Sequence, residues 1–110
     1  MPLYVLDENG DPEHTEDTLR WGSFFEDDKN RILKQTHVGD YFVSTVFLGI
    51  DHAFMGGKPI LWETMIFDTT EDKMTWAVGK EIYQKRYHTK AEALVGHNEA
   101  LRWLEENGVR

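Results

Sequence analysis

The run "YFVSTVFL", Tyr41 to Leu48, constrains this chain most. Successive strand residues point to opposite faces. Here Tyr41, Val43, Thr45 and Phe47 alternate with Phe42, Ser44, Val46 and Leu48, and both sets are rich in β-branched and aromatic side chains. Neither face reads as a water-facing one, so the segment predicts a central strand covered at least partly on both sides. A central strand needs neighbours. Arg31–His37, joined to it by "VGD", supplies one. Ile60–Phe67 supplies the next, with Pro59 just before it, where a missing N–H does little harm. Glu81–His88 alternates Tyr83 and Tyr87 against Ile82 and Arg86 and reads as a last strand; Met74–Val78 adds a short strand or turn.

The ends of the chain read as β-α and α. Leu3–Leu6 is a short strand followed by the turn "DENGDP". Asp7, Asn9 and Asp11 have the spacing that opens a calcium loop, but Pro12 stands at its glycine and Thr18 at its closing glutamate, which excludes calcium there. Thr15 or Asp17 caps a helix running to about Asp27, with Trp21, Phe24 and Phe25 on one face. Thr89 with Glu92 forms a capping box for a second helix, which Asn107 and Gly108 end. Its apolar face is read as Ala91, Leu94, Val95, Leu101 and Leu104, with Trp103 on the opposite side. The expected architecture is α+β, one domain over residues 1–110: an antiparallel meander of about four strands with an N-terminal and a C-terminal helix packed on one face.

Charge and cysteine content narrow the function classes. The chain of 110 residues has a formal net charge of −8. Residues 1–30 hold nine Asp/Glu against Arg20 and Lys29, while the rest is nearly balanced. Such a chain is a poor ligand for double-stranded nucleic acid. An acidic third suits a basic protein surface, or simply solubility. With no Cys there is no disulfide framework, thiolate metal site or cysteine nucleophile. No window reaches a membrane span and the N-terminus lacks a signal-peptide pattern, so the expectation is a cytoplasmic protein without a membrane partner.

Candidate chemistry gathers around "GIDHAFMGGK", Gly49 to Lys58, a long loop between two strands. "GGK" lacks the frame of a phosphate loop. Asp51, His52, Glu63 and His97 are of the right kind to hold a divalent metal, which gives an alternative reading as a small metal-dependent hydrolase; as they come from separate elements, no spacing brings them together. Core or surface histidines with one hydrogen bond are the plainer reading. Tyr83 and Arg86, in a basic group with Lys80, Lys85 and Lys90, are of a kind that stacks on and neutralises a nucleotide-like ligand, with His97 beside them. The Gly49–Lys58 loop, with Asp51 and His52, joins Trp62, Trp103 and the acidic N-terminal third as the expected partner surface, and an outward Trp103 beside an uncovered sheet face predicts a homodimer. No cofactor is implied.

Three segments, "VGDYFVSTVFLGIDHAF" (38–54), "PILWETMIF" (59–67) and "RYHTKAEALVGH" (86–97), occur in that order. In them the chain resembles a group of small uncharacterised proteins predicted in bacteriophage and prophage genomes. "YVLDENGDP" and the aromatic trio of the first helix fit more loosely. The resemblance implies an origin more than a mechanism, and it places Asp51, His52, Glu63, Thr64 and His97 within matching motifs. Small phage proteins of this kind are often accessory factors. The implied function is therefore a non-enzymatic, host-modulating or counter-defence protein in the host cytosol, which binds a host protein or sequesters a small nucleotide-like ligand. That inference comes from genomic company and not from residue chemistry.

Overall fold

A computed structural model describes residues 2–69 and 80–107, apart from the Lys80 side chain. The expected strand or turn at Met74–Val78 and the expected Gly108 helix end lie outside the described residues. The chain begins with a hairpin, β1 (Leu3–Leu6) and β2 (Pro12–Thr15), followed by helix α1 (Thr18–Glu26) and a 3-10 turn, Asp28–Asn30. Strands β3 (Ile32–Val38), β4 (Tyr41–Phe47), β5 (Trp62–Asp68) and β6 (Lys80–Tyr87) then form an antiparallel meander in sequence order, and helix α2 (Lys90–Glu106) closes the fold. No helix among the described residues is long and apolar enough to cross a membrane.

The expected α+β architecture is present, with β4 central between β3 and β5. On one sheet face Val43, Thr45 and Phe47 stand opposite Ile66, Thr64 and Trp62, and Tyr87 stands opposite Trp62. This face carries α2. One cluster joins Phe47, Leu61, Trp62 and Tyr87 to Ala93, and a second joins Val43 and Ile66 to Ala100 and Leu104. The N-terminal helix reaches the first cluster through Phe24, whose ring meets Phe47 edge-on at 6.0 Å.

Strand β2 is an element the sequence reading lacks. "PEHT" has no apolar alternation, and its strand conformation comes from pairing with β1 across the Asp7–Asp11 turn. Asp7 Oδ1 accepts from the Asn9 and Asp11 amides there, so the calcium-like spacing serves the turn. Asp17 is the cap of α1, its carboxylate accepting from the Leu19 and Arg20 amides at 3.1 Å.

The face of α2 is a correction. The helix buries Ala93, Gly96, His97, Ala100 and Leu104, while Leu94 and Val95 are 42% and 57% exposed. The sheet already supplies the bulk, in the rings of Phe47, Trp62 and Tyr87. Close packing then favours small residues on the helix, not large ones. The limit is reached at Gly96, where a Cβ would lie 2.2 Å from Cζ and Oη of Tyr87. The same rotation turns Trp103 inward: it is half-buried, with its ring 5.2 Å from that of Tyr83.

Candidate functional site

The loop between β4 and β5 is tied down at its base. Asp51 Oδ1 accepts from the amides of Ala53 (2.7 Å) and Ile60 (3.0 Å), spanning the loop with one carboxylate. These two bonds, the largest causes, hold the Asp51 carboxyl below its ordinary value, with His52 and His88 adding to the effect. The His52 amide donates to the Ile60 carbonyl and the Asp51 amide to the Pro2 carbonyl. Trp21 Nε1 donates to the Gly49 carbonyl at 2.9 Å, which joins the acidic N-terminal third to the loop. Beyond this base the chain turns at Gly56 and Gly57, both in the left-handed region (φ 85° and 88°) that glycine favours. The tip presents Phe54, 71% exposed, and Met55, fully exposed.

Two clefts flank the strand–helix junction at His88. One, of about 410 Å³, is lined by His52, Phe54, Met55, Lys58 and Ile60 as well as His88. The other, of about 490 Å³, runs between β6 and α2 past Lys85, Tyr87, Val95 and Glu99. His88 lines both. Tyr87 lies on the floor of the groove. Its hydroxyl is buried beside Thr64 without a well-formed hydrogen bond, and burial is the main cause that raises its pKa.

The four residues proposed as metal ligands do not share a site. His97 is fully buried beneath α2. Its Nδ1 hydrogen-bonds Thr45 Oγ1 at 2.7 Å and its Nε2 hydrogen-bonds Thr36 Oγ1 at 2.9 Å. Thr45 in turn meets Thr64 Oγ1 at 2.5 Å. Burial, and secondarily the charge of Lys34, lower the His97 pKa. Both imidazole nitrogens are thus engaged, and the ring fastens α2 to β3 and β4. Glu63 lies on the opposite sheet face, 7% exposed, accepting from Arg86 Nε at 2.8 Å and Gln84 Nε2 at 2.6 Å. Among the described residues no three His, Cys, Asp or Glu side chains are grouped as a metal ion requires.

The residues proposed for a nucleotide-like ligand also fall apart. Arg86 lines the β6–α2 groove, Tyr83 lines a separate cleft with Arg102 and Trp103, and His97 is enclosed. Trp62 is 1% exposed and packs in the core, so it offers no partner contact. The sequence points to the Gly49–Lys58 loop without singling out Phe54 and Met55, whose signal is an aromatic–methionine pair in a polar, glycine-rich loop; His88, at the end of a strand, carries no such signal.

Comparison with protein-family models, with curated proteins and with solved structures finds no match.

Proposed function

We propose that this chain works by binding a protein of the bacterial host cell, as a non-enzymatic accessory factor of the phage type, through the Phe54–Met55 loop tip and the surface beside it. The observation that carries the reading is the presentation of those two side chains. Large apolar groups held in water by a loop fastened at its base make a preorganised contact, because little loop entropy is lost on binding. Aromatic residues are enriched among binding hot spots, and methionine adapts to irregular partner surfaces. The acidic N-terminal third adjoins the loop through Trp21 and Gly49, which favours a partner with a basic rim around an apolar pocket.

The test compares the wild-type chain with a Phe54→Asp, Met55→Asp variant as bait in host lysate. A defined protein retained at near-equal amounts by the wild type and lost from the variant is the expected result. Retention of the same proteins by both, or of none by either, overturns the reading. The hydrolase alternative has less support, since its four residues occupy separate places.

A further inference from the structure

Two imidazoles line the loop cleft, and the short segment Pro59–Ile60 holds the backbone of one residue and the ring of the other. The His52 amide donates to the Ile60 carbonyl at 3.1 Å, and His88 Nδ1 bonds the neighbouring Pro59 carbonyl at 2.9 Å. His52 Nδ1 bonds the Ile50 carbonyl at 2.8 Å. A carbonyl only accepts, so in each ring Nδ1 carries the proton. The Nε2 atom of each neutral ring is then left with a free lone pair. Both side chains line the same cleft of about 410 Å³, and no carboxylate lines it.

An imidazole whose far nitrogen is anchored to a carbonyl is the usual form of a metal-binding histidine, because the anchor fixes both tautomer and ring direction. Nitrogen donors suit borderline divalent ions, whereas calcium and magnesium ask for oxygen. We propose that Nε2 of His52 and Nε2 of His88 form a two-histidine site for a borderline divalent ion such as Zn²⁺ or Ni²⁺, its other positions filled by water or by a group that a partner presents. Two protein ligands are fewer than the four of a structural zinc site, so binding is reversible. Lys58, in the same lining, opposes a cation. The site does not depend on the protein-binding reading: a chain that captures no host protein can still bind the ion, and the reverse.

The test is calorimetric titration of the full chain with NiCl₂ and ZnCl₂, alongside nitrogen NMR of the imidazoles in the wild-type protein. One ion per chain is expected, with the His52 and His88 Nε2 resonances shifting together. His52→Ala and His88→Ala should each weaken binding by about tenfold or more, Lys58→Ala should tighten it, and His14→Ala should leave it unchanged. Two rings acting independently would leave one site intact in each single variant, and that result overturns the proposal. So does a wild-type titration in which neither Nε2 resonance moves, a measurement that requires no variant to fold.

Discussion

At the scale of single residues, Glu63 and His97 are both buried and ionisable, with different satisfaction and different consequences. Glu63 stands directly across from Arg86 on β6 and takes a second bond from Gln84. Its partners are thus an arginine and an amide on the neighbouring strand, not the metal ion that the hydrolase reading required. Because the Arg86 side chain is 41% exposed, water screens the pair. Glu63→Gln is therefore expected to cost about 1–2 kcal/mol, below the full value of a buried ion pair; the shift of the urea midpoint at neutral pH measures it. His97 is the opposite case, a buried ring held neutral. Its folded pKa lies below the ordinary value of 6.5, so the unfolded chain takes up the proton first as the pH falls. The stability linked to His97 is fully present above about pH 6.5 and declines as the pH drops toward the lower folded value. Urea unfolding at several pH values between about 7.5 and 5 should show that decline in the wild type, and His97→Gln should flatten it. Equal slopes in the two proteins would mean that the ring titrates alike folded and unfolded.

At the scale of elements, the strands of the meander were legible because each needs β-branched and aromatic residues at alternate positions, and β4 declared its central place by carrying them on both faces. The capping box was legible for the same kind of reason: Thr89 and Glu92 satisfy each other's backbone amides with no help from the rest of the fold. Strand β2 was not legible, since its conformation comes from β1. The rotation of α2 was not legible either. A helical wheel ranks residues by apolar bulk, but a sheet face filled by Phe47, Trp62 and Tyr87 selects the smallest side chains. Gly96→Ala tests that account. Substituting alanine for glycine within a helix ordinarily gains about 1 kcal/mol, but here the new Cβ meets Tyr87 at 2.2 Å. A net loss of about 1–2 kcal/mol is expected, since overpacking costs roughly 1–3. In a Tyr87→Ala background the same change should become neutral or stabilising, a non-additivity that a double-mutant cycle in denaturant reads directly. Additive effects would place the contact elsewhere.

At the scale of the whole molecule, the exposed apolar side chains bear on both the expected homodimer and the proposed partner. The expected homodimer was argued from Trp103 and an uncovered sheet face, and Trp103 is turned against Tyr83. Large apolar side chains that remain exposed include Leu19 on α1, Phe54 and Met55 on the loop, and Leu94 and Val95 on α2. A specific interface covers about 800 Å² per partner. His88 lines both the loop-tip cleft and the Val95 groove, whose walls also carry Lys85, Arg86, Glu92 and Glu99. We propose that any homodimer uses this surface and is weak, because it holds the same side chains that a partner protein would cover. Light scattering across micromolar concentrations should then show the mass rising from the 12.9 kDa of one chain toward twice that value. Phe54→Asp with Met55→Asp should hold the protein at the lower mass without moving its urea midpoint beyond about 0.5 kcal/mol, since exposed side chains contribute little to folding. A captured partner should dissociate the dimer, the two contacts being mutually exclusive. A mass fixed at one chain over the whole range rejects the homodimer and leaves the loop tip to a partner alone.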